Sequence, residues 1–118
     1  MMIRGIGIDI VELDRIQASI ERGASFPKRI LTEKEYSLFL ELSDRRKVEF
    51  LAGRFSAKEA FSKALGTGIG TKMSFQDVEI LPDIVNKPIA KTQLFEGTVH
   101  VSISHSEAYA VAQVILED

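Results

Sequence analysis

The chain has 118 residues, 45% of them hydrophobic and 27% charged, with a formal net charge of −2, which fits one globular domain spanning residues 1–118. The near-neutral balance gives no indication of nucleic-acid binding, and no apolar stretch approaches the roughly 20 residues that a membrane span needs. Cysteine is absent, which excludes disulfides and thiolate metal sites and favours a cytoplasmic protein.

The first predicted element is a strand from Met2 to Ile10. Side chains alternate across a strand, so one face carries isoleucines and the other carries two glycines and an aspartate: Ile6, Ile8 and Ile10 against Gly5, Gly7 and Asp9. Paired glycines on one face permit another backbone to approach closely.

Three helices are predicted next, from periodicity and capping signals. Thr32 and Glu35 form a capping box at the start of the second helix, and Asp44 is the predicted cap of the third. The third is apolar on two sides, so we expect it to be largely buried. The predicted spans are 11–22, 32–43 and 44–65.

Four strands are predicted in the remainder of the chain, the last two as a hairpin. Their spans are 75–81, 89–94, 99–104 and 109–116. One strand, three helices and four strands predict an α+β fold, with the helices packed on a mainly antiparallel sheet.

Glu59 is the first candidate for chemistry, because it lies on an apolar stripe of the third helix, where an unpaired carboxylate is costly. Lys63, one turn later, can supply the cation as an i,i+4 ion pair. Alternatively, Glu59 and Asp9 are the two carboxylates of a magnesium site that substrate phosphates complete. Asp9 alone can also be interpreted as the N-terminal cap of the first helix.

Lys63 is followed by Gly66, Gly68 and Gly70, a loop whose backbone can approach a phosphate closely while the lysine provides a point charge. The lysine precedes the glycines, so the segment is no Walker motif. The alternative is a glycine helix stop followed by a surface loop. His105 is interpreted as a ligand contact or a structural histidine, since the sequence offers no catalytic triad.

Three blocks of sequence together resemble the short phosphopantetheinyl transferases, the single-half family represented by the holo-acyl-carrier-protein synthases. Their order and spacing cover nearly the whole chain. The blocks are Gly5-Ile-Gly-Ile-Asp-Ile10, Phe55-Ser-Ala-Lys-Glu-Ala-Phe-Ser-Lys63 running into Gly66-Thr-Gly-Ile-Gly70, and Val101-Ser-Ile-Ser-His-Ser106.

The resemblance implies transfer of 4'-phosphopantetheine from coenzyme A to a serine of apo acyl carrier protein, with release of adenosine 3',5'-bisphosphate. It implies that Asp9 and Glu59 bind Mg²⁺ and that Lys63 neutralises the leaving pyrophosphate. Glu59 or a magnesium-bound water would act as the base. The implied coenzyme A contacts lie between subunits of a homotrimer: Arg54, Lys63, Gly66, Gly68, Gly70, Asn86, Pro88 and His105.

The family also presents basic side chains of its first helix to acidic carrier protein, and here these are Arg15 and Arg22. The glycine face of the first strand and the family's two-lobed larger members favour the homotrimer. Two other functions fit parts of the sequence: a non-catalytic module that binds coenzyme A or a nucleotide, and an adaptor for acidic partners. Both leave Glu59 unexplained.

Overall fold

The computed structural model describes residues 1–118. Its elements in chain order are β1 (Ile3–Glu12), α1 (Leu13–Glu21), α2 (Ser25–Ile30), α3 (Glu33–Leu40), α4 (Asp44–Leu65), a 3-10 turn (Phe75–Asp77), β2 (Val78–Pro82), β3 (Pro88–Thr92), β4 (Thr98–His105) and β5 (Tyr109–Glu117). The predicted α+β class is confirmed. None of the helices combines the length and apolar character that crossing a lipid bilayer requires.

The helices differ from the prediction in their number, in one cap and in the ends of α1 and α3. Helix α2 was missed, because its six residues are too few to show a helical repeat. Helix α4 begins at Asp44 as predicted, but its N-cap is Ser43 rather than Asp44. The capping box of α3 is confirmed, with the Thr32 amide donating to Glu35 Oε1 at 2.7 Å.

The strands form two antiparallel sheets rather than the single sheet that was expected. The larger sheet has the order β1-β5-β4, and the smaller one is the β2–β3 hairpin alone. In the larger sheet Asp9 of β1 and Ile103 of β4 both lie opposite Ala112 of β5. The hairpin is therefore held in place by something other than strand pairing with the larger sheet.

Helix α4 lies between the larger sheet and the shorter helices, and the core surrounds it. One core cluster joins α1, α2 and α3 to its first half, around Leu51. The other joins β2 and β5 to its second half, around Phe61. Leu51 and Phe61 are both almost fully buried, so the expected burial of this helix is confirmed.

Gly5 and Gly7 allow α4 to pack directly on the backbone of β1. A Cβ atom at Gly5 would overlap the carbonyl oxygen of Ala64, and one at Gly7 would overlap that of Ala60. The glycine face is thus occupied by this chain's own helix. Its use as a reason to expect contact with another subunit was wrong.

The opposite face of β1 has no partner within the chain. Ile6, Ile8 and Ile10 point outward and are 61%, 59% and 63% exposed. Val111 and Ile115 of β5 extend the same apolar surface, because they lie opposite Ile10 and Ile6. We call Ile6, Ile8, Ile10, Val111 and Ile115 the isoleucine face; exposed apolar patches of this kind mark sites of association.

Gly7→Ala should destabilise the protein by about 3 kcal/mol, because the added methyl group forces α4 away from β1. Equilibrium unfolding in urea measures this loss. Gly70→Ala is the matched control, since nothing lies within 4 Å of a Cβ atom at that position. Equal stability of the Gly7 and Gly70 variants would contradict the close contact.

Candidate functional site

Asp9 and Lys63 meet where β1 crosses α4. Lys63 Nζ donates to Asp9 Oδ1 at 3.1 Å and to the carbonyl oxygen of Ile8 at 3.0 Å. The Asp9 side chain is 15% exposed and the Lys63 side chain 51% exposed. The interpretation of Asp9 as a helix cap is wrong, because β1 continues to Glu12 and α1 begins only at Leu13.

Glu59 lies one turn before Lys63 on α4 and faces the same group of charges. Burial raises the pKa of Glu59, and the nearby Asp9 carboxylate raises it further, while Lys63 and Arg15 act to lower it. Lys63 pairs with Asp9 instead of forming the i,i+4 ion pair with Glu59. The Asp9 carboxylate therefore disfavours the ionised form of Glu59, and an added cation would relieve this.

Asp9 and Glu59 fit a magnesium ion that takes most of its ligands from elsewhere. No third carboxylate or histidine joins them, since the chain has no cluster of three such residues. Magnesium keeps several waters and commonly binds through one or two carboxylates plus substrate phosphates. The donor set fits that arrangement and excludes a closed structural metal site.

The glycine loop begins where α4 ends, next to Lys63. Gly66 ends the helix in the left-handed conformation at φ 87°, and its amide donates to the carbonyl oxygen of Ser62 at 3.0 Å. Nothing lies within 4 Å of the Cβ positions of Gly66, Gly68 or Gly70. The predicted helix stop is confirmed, and the loop leaves open space beside Lys63; its contact with a ligand stays a prediction.

A separate pocket of about 520 Å³ opens between the first half of α4, the β2–β3 turn and the end of β4. Four of the expected coenzyme A contacts line it: Arg54, Asn86, Pro88 and His105. Sequence reasoning missed the others that line it with them, among them Arg46, Glu49 and Phe50. The signal of Arg46 and Glu49 was weak, because charged residues near the start of a helix usually face solvent.

The polar groups of this pocket are held by their neighbours. Arg54 donates through Nε to the carbonyl oxygen of Ile80 at 3.1 Å, and its guanidinium lies 4.2 Å from the ring centroid of Phe50. Burial holds the pKa of Arg54 below its usual value, against the opposing effect of Glu35. Asn86 adopts φ 67° in the turn. The pocket thus presents a desolvated cation to a ligand.

The two groups of expected contacts do not converge within one chain. Arg54 and Lys63 are nine residues apart on α4, which places them roughly 180° apart around the helix. The pocket includes none of Lys63, Gly66, Gly68 and Gly70, nor Asp9 or Glu59. Half of the expected coenzyme A contacts thus lie on each side of the helix.

Sequence reasoning also missed the ion pair between Lys58 and Glu35. Lys58 Nζ lies 2.6 Å from Glu35 Oε1, and both side chains are fully buried. Burial lowers the pKa of Lys58, while the Glu35 carboxylate opposes that shift. A signal was present, since Lys58 is seven residues after Leu51 and lies about 20° from it around the helix, on a buried side.

Comparisons with known proteins give one consistent result. The sequence profile of the 4'-phosphopantetheinyl transferase superfamily matches residues 5–114. The holo-[acyl-carrier-protein] synthase of Bacillus velezensis is 62% identical over 117 residues, covering 98% of this chain and 97% of the relative. That of Bacillus subtilis is 57% identical over 117 residues, with the same coverage.

A solved structure extends the similarity to three dimensions. It is a holo-(acyl-carrier-protein) synthase from Bacillus anthracis in complex with CoA (3',5'-ADP). It is 53% identical, with a TM-score of 0.93, and the match covers 100% of this chain and 99% of that one.

The two lysines of the central block should differ sharply when each is replaced by methionine. Lys63→Met should cost less than about 1 kcal/mol, because its ion pair is half exposed. Lys58→Met should cost about 3–5 kcal/mol, because it leaves the Glu35 charge buried and unpaired. Urea denaturation of both variants checks this, and similar losses would refute the assignment of Lys63 to the site and Lys58 to the interior.

Proposed function

Since this chain belongs to the 4'-phosphopantetheinyl transferase superfamily, we propose that it transfers 4'-phosphopantetheine from coenzyme A to a serine of apo acyl carrier protein. The second product is adenosine 3',5'-bisphosphate. This modification activates carrier protein for fatty acid synthesis, which takes place in the cytoplasm. The observation that carries the proposal is the meeting of Asp9, Glu59 and Lys63 beside an open glycine loop.

Magnesium is the proposed cofactor, and Asp9 and Glu59 would hold it. When bound, the ion supplies positive charge to the pyrophosphate of coenzyme A. Lys63 is oriented by the Asp9 carboxylate and the Ile8 carbonyl, so its ammonium group is fixed where negative charge develops on the leaving group.

The transfer itself exchanges one phosphorus–oxygen bond for another. The carrier-protein serine oxygen bonds to the phosphorus that carries pantetheine, and the bond from that phosphorus to adenosine 3',5'-bisphosphate breaks. The serine proton must go to a base. Glu59 is proposed for this role, directly or through a water that it orients, because its carboxylate faces the same group of charges as Asp9 and Lys63.

A homotrimer is the proposed assembly, with coenzyme A bound between subunits. Arg54, Asn86, Pro88 and His105 of one copy would contact the adenosine end, while a neighbouring copy contributes Lys63 and the glycine loop. The placement of the two groups on opposite sides of α4 supports a shared site, and the isoleucine face supports association. The number three rests on the family resemblance.

The transfer reaction is tested by mass spectrometry of apo carrier protein incubated with coenzyme A and magnesium. We expect a gain of one phosphopantetheine, and a rate reduced by about 100-fold or more in Asp9→Asn and Glu59→Gln, since each removes a negative metal ligand while keeping its shape. Circular dichroism should show that both variants remain folded. Binding of coenzyme A without any mass gain would indicate the non-catalytic module instead.

Light scattering of the unaltered protein in solution should give the mass of three chains. Ile8→Asp should dissociate the assembly, because it places a charge in the centre of the isoleucine face. Ile84→Asp, the same substitution at a fully exposed position in the β2–β3 turn, should leave three chains together. An active monomer of the unaltered chain would end the proposal of a shared cleft.

Arg15 and Arg22 are the proposed contacts for acidic carrier protein. Both are exposed, whereas Leu13 and Ile16 bury the other side of α1. The arginines are seven residues apart, so they lie within about 20° of each other around the helix axis. Arg15 is also close enough to Glu59 to lower the pKa of that carboxyl, which places Arg15 near the proposed metal ligands.

Arg15→Glu combined with Arg22→Glu should raise the KM for carrier protein about tenfold and leave that for coenzyme A nearly unchanged, because the two arginines are proposed contacts of carrier protein and not of coenzyme A. The difference should shrink as salt is added. Lys34→Glu with Lys91→Glu changes the net charge equally on other exposed surface and should do little. A parallel rise of both constants would rule out α1 as the docking surface.

A further inference from the structure

The buried ion pair of Glu35 and Lys58 has no part in the proposed reaction. Lys58 Nζ lies 2.6 Å from Glu35 Oε1 and also donates to the carbonyl oxygen of Ile30 at 2.8 Å. Apolar side chains of similar size often replace such a pair with no loss of stability. Stability alone is therefore a weak reason for its presence, and its other contacts indicate a different role.

Glu35 connects three elements through its two carboxylate oxygens. Oε1 accepts hydrogen bonds from Lys58 of α4 and from the Thr32 amide at the start of α3, the latter at 2.7 Å. Oε2 accepts a hydrogen bond from the Ile80 amide of β2, also at 2.7 Å. Because Lys58 holds Oε1, the second oxygen is left to face the strand.

Ile80 is the point at which the hairpin is attached to the helices. Its amide is bonded to Glu35, and its carbonyl oxygen accepts from Arg54 Nε. In the β2–β3 register Ile80 lies opposite Ala90, and both of its backbone groups point away from β3. Side chains of α3 and α4 thus take the place that a neighbouring strand would have in a larger sheet.

The attachment lies close to the coenzyme A pocket. Two residues after Ile80, Pro82 lines that pocket, together with Asn86 of the following turn and Pro88 at the start of β3. Arg54 lines the facing wall and is bonded to the same Ile80. The hydrogen bonds of Ile80 to Glu35 and Arg54 consequently determine how far the hairpin lies from α4 across the pocket.

We infer that Glu35 and Lys58 are positioning residues for coenzyme A, which hold the β2–β3 hairpin and Arg54 at the separation that the adenosine end requires. Neither residue lines the pocket, so both act through Ile80 and Arg54. The inference rests on the proposed function. It concerns binding of the donor and not the transfer step, because Glu59 and Lys63 lie on another side of α4.

The decisive variant is Glu35→Leu combined with Lys58→Met, which replaces the ion pair by apolar side chains and removes the anchor of the Ile80 amide. Urea denaturation should show that it folds. Calorimetric titration with 3',5'-ADP and with coenzyme A should show binding about tenfold weaker than in the unaltered chain, the effect of releasing the Ile80 amide from its buried hydrogen bond. The KM for coenzyme A should rise equally, with kcat within about twofold.

Ile16→Ala is the matched control for stability. Ile16 of α1 is almost fully buried in the core cluster that does not include Ile80, so its truncation destabilises the protein without altering the anchor. It should bind 3',5'-ADP as the unaltered chain does. If it weakens binding as much as the double variant, general destabilisation explains the effect and the positioning role is rejected.

Glu35→Asp provides a second route if the double variant does not fold. It keeps both charges but shortens the side chain by one methylene, which withdraws the carboxylate from the Ile80 amide. Weaker binding of 3',5'-ADP supports the inference, and unchanged binding by either folded variant overturns it. Failure of the unaltered chain to bind coenzyme A or to modify carrier protein would instead reject the proposed function, so the two failures are distinguishable.

Discussion

The direct contact between α4 and the backbone of β1 is the constraint on which the rest of the structure depends. Two residues of a strand advance about 6.8 Å, and four residues of a helix advance about 6.0 Å, so the two repeats run nearly in step. Gly5 and Gly7 accordingly meet the carbonyl groups of Ala64 and Ala60. The next residue on that face of the strand is Asp9, so its side chain lies against α4 and contacts Lys63.

Two pairs of charged side chains with different roles lie on different sides of α4. Arg54 and Lys58 are four residues apart and share one side, where they fix the hairpin through Ile80 and Glu35. Glu59 and Lys63 are also four residues apart and share another side, where they face Asp9. At about 100° per residue, adjacent Lys58 and Glu59 point in different directions. Lys58 is therefore fully buried, whereas Glu59 is only partly buried.

Much of this was predictable from sequence, because it depends on local patterns. The span of α4 and the capping box of α3 follow from periodicity and cap residues, and the family resemblance carried by three sequence blocks is confirmed. Asp9 and Glu59 stood out because carboxylates occupied places that normally hold apolar or small residues. Their approach to each other needed only that β1 and α4 pack together.

The remainder depends on contacts between distant segments, which no local pattern encodes. Lys63 was expected to pair with Glu59 or to face a phosphate, and the crossing of β1 over α4 pairs it with Asp9. The hairpin looked like part of one sheet, because strand patterns do not reveal which edges pair. Glu35 was identified as a capping residue, which it is, but the same carboxylate also bonds Lys58 and Ile80.

The glycine face and the isoleucine face of β1 lead to one conclusion about assembly. Because α4 occupies the glycine face, the strand must place its isoleucines outward, and no element of the chain remains to cover them. The same helix separates the two groups of expected coenzyme A contacts, so the second copy in the proposed assembly would both complete the site and cover the isoleucines.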